Sequence, residues 1–582
     1  MKPRWAIVAL CVGMLGCFGP KATRFQSAEG EPHVPEVRVI GDISDVGTQQ
    51  DTTVVGVGIV TRLSGTGGGA PPESQWRDML ENDLKKRGIR NPRAIMDSPD
   101  CAMVIVSAKI PAGSRRNDPI DVEINMPQGS RCTSLRGGYL NSCELYNFES
   151  IKNVSANQPN NSQYLKGYAL VKAEGPIIAG LTGKVKVAAK QRDPDADDYR
   201  NEDASFKNGW VWGGGKCLAD PPLMLLLHSD QQYSRVAAQV ADRVNQTFPG
   251  MKFGRDGLAA AKNRSLVSIG VPIQYRHNIA HYLRVLRAIP LDRVPPMDSP
   301  YRKQLAEQLL DPAKCLASAV RLEALGEDSV PALRAALAAP YPVSRFAAAQ
   351  ALTYLRKRDG VDELTRLAKE EPVLRGLCLT ALASLDESIC HVKLNDLMSV
   401  RDPEIRYGAF YALRVLDDRA PEIAGDHCKD AYWVHAVAVD STPMIHYLTS
   451  RRAEIVLFGQ SPSFLPDMRL AFGEFTITSV PGGDSCTLKR FSLKDREKKV
   501  LEKKCSLAIT EVLKALAEMG GTYTDAVDLL RNADAAGRLS CDLQADAMPR
   551  VVDPGQLARA ALDDPTLRKL TASGAGLSTG GQ

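Results

Sequence analysis

The sequence predicts an α+β protein: a mixed scaffold written in two sequence pieces, with an all-α solenoid of helical hairpins inserted between them. Three observations predict this. Short apolar runs bounded by Gly and Pro, some alternating with polar residues, fill the chain to about residue 290 and return after about residue 445. Runs of that length and period are strands. From about Pro300 the composition turns to Ala and Leu at helical spacing. Within that stretch Pro312, Pro342, Pro372 and Pro403 stand 30, 30 and 31 residues apart, a fixed period of the kind that marks stacked repeats. The 582 residues exceed one ordinary domain, and at about 150 residues per domain three to five units are expected. A hydrophobic content of 44% supports packed cores. A net charge of +5 is small for this size and argues against a nucleic-acid binder, which needs a concentrated basic face.

The elements follow in chain order. Lys2 and Arg4 precede an apolar stretch, Trp5 to Leu15, that is too short to span a bilayer. Gly16-Cys17 resembles the end of a bacterial lipoprotein signal, so residues 1–17 are expected to be a signal peptide with a lipobox and Cys17 the lipidated residue. Residues 18–36 read as a polar tether. Val54 to Val60 is a strand, and Gln75 to Arg87 a helix with Trp76, Leu80 and Leu84 at four-residue spacing and Gly88 as its C-terminal stop. Cys101 to Ile110 is a short apolar run stopped by Pro111, read as a buried strand. Ile120, Val122, Ile124 and Met126 alternate with Asp121, Glu123 and Asn125, which gives a strand with one wet face. Ser134-Leu135-Arg136-Gly137-Gly138 is a turn in which both glycines are expected to need backbone freedom. Tyr168 to Val171 and Leu223 to Leu227 are strands, the second expected to be buried; Tyr233 to Phe248 is a helix presenting Val236, Val240 and Val244 on one face. Ser265 to Val271 is a strand and Ile279 to Ile289 a helix.

Several of these stretches together resemble the bacterial flagellar P-ring protein family. The resemblance rests on Val106-Ser-Ala-Lys-Ile-Pro111, on Asp118-Pro119-Ile120-Asp121-Val122, and on the Ser134–Gly138 turn. It also rests on Val54–Val60 running into Leu63-Ser64-Gly65-Thr66-Gly67, and on Asp230, Ala237, Val240, Ala241, Val244, Asn245 and Phe248. The chain carries Asn117 where the family usually has a Gly before the Asp. The resemblance resumes at Arg452–Gly459, at Met468–Thr478 around Gly473, and at two helices, Ile509–Met519 and Thr524–Ala535, ended by Gly520-Gly521 and Gly537. P-ring-like pieces are therefore expected at 37–290 and 445–545.

Between them, each proline marks a helix start, since proline is favoured in the first helical turn. Ala313–Leu325, Val343–Leu355, Val373–Leu385 and Glu404–Leu416 follow the four prolines, with second helices such as Ser329–Ala338 and Val361–Lys369 between them. Arg345, Arg375 and Arg406 fall at one place in three of the four. This array, residues 300–426, resembles the short HEAT-like class. A solenoid needs only its own neighbours for a core, so replacing Pro295–Asp426 by a linker is expected to leave a folded scaffold. Residues 553–582 read as a flexible tail.

No catalytic constellation stands out, and no enzyme, metal or cofactor is expected. The Gly65-Thr66-Gly67 stretch lacks the third glycine and following helix of a dinucleotide loop. The acidic loop Asp193–Asp198 lacks the Gly and Glu of a calcium loop, and His427-Cys428 are sequence neighbours rather than a site. The 13 cysteines include no CxxC pair; export permits disulfides, with connectivity open. The resemblance implies a structural protein of the flagellar basal body. It would assemble with copies of itself into a periplasmic ring around the rod, next to the outer L-ring, and be held to the membrane by a lipid anchor. The alternative is a non-flagellar envelope lipoprotein whose HEAT-like repeats bind a protein partner.

Overall fold

The computed structural model describes residues 37–47, 51–68, 75–150, 164–181, 206–220, 223–250, 257–491 and 500–550. The signal segment with Cys17, the tether, the acidic loop 193–198 and the tail 553–582 lie outside the described residues. The fold is mixed α and β, with a β-barrel near its start.

After β1 (Ser44–Val46), the barrel opens with β2 (Thr52–Thr61). Helices α1 (Gln75–Lys86) and α2 (Pro92–Met96) follow, then β3 (Ala102–Ile110), β4 (Pro119–Asn125), β5 (Tyr139–Ser150), β6 (Tyr164–Pro176), β7 (Ile178–Ala179) and β8 (Asn208–Cys217). The sheet order is β4-β3-β2-β5-β6-β8-β7, and β8 also pairs back onto β4. Every pairing is antiparallel, and an all-antiparallel cycle closes only on an even number of strands, here β2, β3, β4, β5, β6 and β8. Closure removes the edges. Along β4 the expected alternation holds: Ile120, Val122 and Ile124 are buried in the barrel core with Val54, Val104, Val106, Leu145 and Val171. On the other face of β2, Val57 and Ile59 pack with Met103 under Leu80 and Leu84 of α1. Helix α1 stops as expected: Gly88 has φ +83, and Ile89 N–H donates to Leu84 O at 3.1 Å, the bond of a Schellman stop.

A second sheet, β1-β9-β11-β10, contains β9 (Leu223–Leu227), β10 (Ala259–Ala261) and β11 (Leu266–Ile269). Helices α3 (Ser234–Thr247) and α4 (Ile279–Ala288) cover one face. Leu223–Leu227 is therefore not buried throughout: Leu223, Leu225 and Leu227 face the helices while Leu226 is exposed. An apolar run hides a period of two when the outward residue is also Leu. On α3, Val240 and Val244 are buried and Val236 only partly so.

The helical stretch comprises α5 (Pro300–Gln308), α6 (Cys315–Ala324), α7 (Val330–Ala336), α8 (Pro342–Tyr354), α9 (Val361–Glu370), α10 (Pro372–Leu382), α11 (Ser388–Met398) and α12 (Pro403–Leu416). Helix α8 packs on α6 and α10, and α10 on α12; α9 packs on α8, α10 and α11. Pro342, Pro372 and Pro403 open their helices as expected. Pro312 does not: it lies in a turn, and α6 starts at Cys315. The repeated arginine has a physical role. Arg345 Nη1 donates to Ala339 O (2.9 Å), Arg375 Nε to Ala368 O (3.1 Å) and Arg406 Nε to Val400 O (2.9 Å). Arg302 in α5 repeats the contact with Pro295 O (2.9 Å). Arg345, Arg375 and Arg406 each serve a carbonyl at or just past the end of the preceding helix, the kind left without a partner there, whereas Pro295 lies in a loop.

The helices do not confine their core to themselves, contrary to expectation. Ala324 and Tyr354 belong to the core of the β1–β9–β11–β10 layer. Buried Glu323 of α6 accepts from Tyr275 and pairs with His281 at 2.9 Å, and Tyr354 stacks on both rings. At the other end Tyr407 of α12 donates to buried Glu454, and Arg414 pairs with the same carboxylate.

The last part begins with β12 (Gly425–Cys428), β13 (Tyr432–Val437), β14 (Met444–Tyr447) and β15 (Glu454–Phe458). A second sheet is formed by β16 (Arg469–Phe472), β17 (Phe475–Ser479), β18 (Ser485–Arg490) and β19 (Leu501–Ser506) in that order. Helices α13 (Ile509–Glu518) and α14 (Tyr523–Ala535) follow, and β20 (Asp542–Ala545) completes the first of these sheets as β12-β13-β15-β14-β20. Both sheets and both helices share one core, which also takes in Ile178 and Trp212 from the barrel.

Candidate functional site

The turn Leu135–Gly138 sits at the seam between the barrel and the last part. Gly138 N–H donates to Leu135 O at 3.0 Å, and Gly137 has φ +76. That places Gly137 third in a β-turn, where a type II geometry requires positive φ. A Cβ on Gly137 would meet nothing within 4 Å, so its need is conformational. Gly138 is different. Its φ is ordinary, but a Cβ would lie 2.6 Å from Val60 Cγ1 and 2.8 Å from Leu63 Cδ2. The expectation that both glycines serve backbone freedom is thus corrected for Gly138, which is needed for close packing. Leu135 is fully buried and its N–H donates to Phe206 O at 2.9 Å.

Arg136, projecting from this turn, is where distant motifs converge. Its Nη2 lies 2.6 Å from Asp525 Oδ1 and 2.9 Å from Asp528 Oδ2, both on α14. Asp525 Oδ2 meanwhile caps α14, accepting from Thr522 N–H at 2.8 Å. One carboxylate therefore starts a helix and fastens it to the barrel. Burial opposes the Arg136 charge, but Asp525 and Asp528 outweigh it and raise its pKa; burial raises Asp528 against the pull of Arg136. Gly473, with φ +52 in the β16–β17 turn, leaves room for this pair: a Cβ there would stand 2.7 Å from Asp525 Oδ1. Thr66 of the Leu63–Gly67 loop donates to Ser134 O at 2.8 Å, and Thr133 N–H to Thr66 O at 2.8 Å. Thr524 donates to Ala179 O at 3.1 Å, and Trp212 meets Tyr523 edge-on at 5.9 Å. Sequence reasoning singled out Leu135, Arg136, Gly137 and Gly138 but missed Asp525 and Asp528. The one available signal was the Thr522-x-x-Asp525 capping pattern.

Other sequence features resolve as structure. Gly67 and Gly68 spend their N–H groups on Pro99 O (2.9 Å) and Cys101 O (3.1 Å), so they present no donors to a phosphate. Asn117 stands at φ +69, a left-handed conformation that Asn tolerates best after Gly; it fills the place where the resembled family has Gly. His427 stacks on Trp433 while Cys428 faces the core, so strand alternation parts the two. Among the described residues no group of three or more His, Cys, Asp or Glu side chains could hold a metal, and no helix is long and apolar enough to cross a membrane. This site is a packing junction between the barrel and the last part of the chain.

Known proteins resemble part of this chain. Residues 39–297 match the family model described as flagellar P-ring protein. The chain is 26% identical over 275 residues to the flagellar P-ring protein of Oleidesulfovibrio alaskensis, covering 46% of this chain and 64% of that protein. It is 25% identical over 252 residues to that of Bdellovibrio bacteriovorus, covering 43% and 63%. With that of Sodalis glossinidius it shares 32% over 218 residues, covering 36% and 51%. The chain spans less than two thirds of the length of these relatives. The matched stretch holds the barrel, the Leu63–Gly67 loop, the Arg136 turn and the β9–α3 unit. Over residues 39–297, this chain is similar to flagellar P-ring proteins.

Proposed function

We propose that this chain is a structural subunit of a P-ring-like assembly in the flagellar basal body. Copies of it pack side by side into a periplasmic ring around the rod, adjoining the outer L-ring, with no chemistry required of any side chain. One observation carries this reading: the family match over residues 39–297 includes the Arg136 turn, which is fastened to α14 from the chain's far end. The second P-ring-like piece, 445–545, thus completes the unit begun by 37–290. Residues 300–426 form a HEAT-like array between the two pieces. Residues 1–17 direct export, and acylation of Cys17 ties the ring subunit to a membrane through the tether 18–36. Electron microscopy of the purified full-length protein tests the ring, and deletion of its gene should abolish motility until the wild-type gene is restored. Monodisperse single copies together with unimpaired swimming would overturn the reading. Mass spectrometry of the mature N-terminus should find an acylated Cys17; an unmodified terminus elsewhere would remove the anchor.

A second reading is favoured by one feature. A groove on the α10 and α12 face is lined by Leu379, Thr380, Tyr411 and Arg451, with His277 and Pro549 beside them. In this reading the chain is a non-flagellar envelope lipoprotein, and the HEAT-like helices bind a protein partner there. Normal swimming after gene deletion, with a partner cross-linked specifically to Tyr411, would favour it over the ring.

A further inference from the structure

Strands β18 and β19 bring two cysteines face to face. Cys486 and Cys505 are directly opposite in the antiparallel register, and their sulfurs are 3.5 Å apart. Opposed residues of an antiparallel pair have Cα atoms about 4.5–5.5 Å apart, within the range a disulfide spans. Closing the remaining gap to about 2 Å needs only side-chain rotation, not backbone movement. The described cysteines are all free thiols in this structure. Cys486 is buried against the core beside α13, whereas Cys505 is partly exposed. Strand β19 is the edge of its sheet, and among the described residues β18 is its one strand partner. It leads directly into α13, whose helix start is tied by Ile509 N–H to Pro462 O at 3.2 Å.

We infer that Cys486 and Cys505 are a redox-active pair, closed to a cross-strand disulfide by exchange with a disulfide donor, and that Cys505 is the thiol through which the exchange enters. The Cys505 thiolate attacks one sulfur of the donor disulfide, expelling the other as a thiolate and forming a mixed disulfide. Cys486 then gives up its proton and attacks Cys505 Sγ, expelling the donor's second thiolate. Two electrons pass from the pair to the donor, and the two protons end on the donor's thiols. The order of attack follows from access, since only Cys505 reaches solvent. It also follows from thiolate availability: the contact with Cys486 lowers the Cys505 thiol against the effect of burial, while the same contact and burial push Cys486 up. The closed form ties the edge strand β19 covalently to β18.

The test uses the purified full-length protein and oxidised glutathione as donor. After equilibration, alkylation and digestion without reductant, a peptide containing Cys486 should be linked to one containing Cys505, and dithiothreitol should release both. Recovery of the two residues as separately alkylated peptides would overturn the inference, as would linkage of either to another cysteine. In Cys486→Ser, Cys505 should accumulate as its glutathione mixed disulfide, while in Cys505→Ser, Cys486 should stay alkylatable. The reverse pattern would overturn the assigned entry thiol. The wild-type mapping needs no variant to fold.

Discussion

At the scale of single residues, the Gly137–Gly138 pair separates two reasons for the same amino acid. Gly137 has room for a side chain but stands at φ +76. Gly137→Val should therefore lower stability by about 1–3 kcal/mol through backbone strain alone, and Gly137→Asn by less, because Asn visits the left-handed region more readily. Urea unfolding of both variants checks this, and equal midpoints for Val and Asn would contradict the conformational account. Arg136 carries a different load. Its guanidinium is the shared partner of Asp525 and Asp528, and Asp525 is nearly buried. Arg136→Met keeps the stem and removes the charge, leaving the two carboxylates without their cation. Hydrogen bonds to charged groups contribute about 1.5–3 kcal/mol each when one partner is lost, so a loss of about 2–3 kcal/mol is expected in urea unfolding. A variant with the wild-type midpoint would mean that the seam is held by the apolar core alone.

At the scale of elements, strands with one wet face were legible, because β4 alternates every second residue. Strand β8 was not. Its stretch Trp210-Val211-Trp212-Gly213-Gly214-Gly215 does not stand out in the sequence, because three glycines interrupt the apolar pattern, yet those glycines let the backbone close the barrel. A Cβ on Gly215 would stand 2.9 Å from Val122 Cγ2 on β4 and 3.1 Å from Val171 Cγ1 on β6. Glycine in a strand can mark close approach as well as a break, and which of the two depends on a partner strand remote in sequence. The Arg136–Asp525 pair was hidden for the same reason: the capping half of Asp525 is local, whereas its other oxygen serves a residue far earlier in the chain. Strand β14 offers a test of burial at this scale. His446 is fully buried, stacks on Tyr407 at 3.6 Å, and accepts from Ala547 N–H at 3.0 Å. Burial lowers its pKa from 6.5 to about 3. The unfolded chain thus takes up this proton first, so the stability contributed by neutral His446 is full above pH 6.5 and is lost as pH falls toward 3. At pH 5 the loss should be about 2 kcal/mol. His446→Phe should flatten the slope of unfolding free energy between pH 6.5 and 4; an unchanged slope would place the proton uptake elsewhere.

At the scale of the whole molecule, the helical stretch joins the layers on either side of it. The proline period made its helices legible, but the period says nothing about which helix faces leave the array. Those faces carry the polar and aromatic side chains that the repeat pattern does not need: Glu323 and Tyr354 at one end, Tyr407 and Arg414 at the other. Glu323 meets Tyr275 and His281, while Glu454 receives Tyr407 and Arg414. Removing residues 295–426 would therefore do more than open a loop. Closing the gap with a Gly/Ser linker costs little, since loop entropy grows only slowly with length. The cost lies in the cores left behind. Glu454, fully buried, would lose Tyr407 and Arg414 and keep Arg452 at 3.2 Å; truncating one side of a buried charged pair costs up to about 3–5 kcal/mol, less where a second cation remains. Tyr275 and Tyr282, now in a core shared with Tyr354 and Ala324, would lose that covering. Together these losses are comparable with the whole stability of an ordinary domain, about 5–15 kcal/mol. The deletion protein should accordingly aggregate, or show circular dichroism without a cooperative thermal transition. A soluble deletion protein with a sharp transition and a symmetric size-exclusion peak would show that the two flanking pieces hold together without the helices, and that the buried contacts at Glu323 and Glu454 are dispensable.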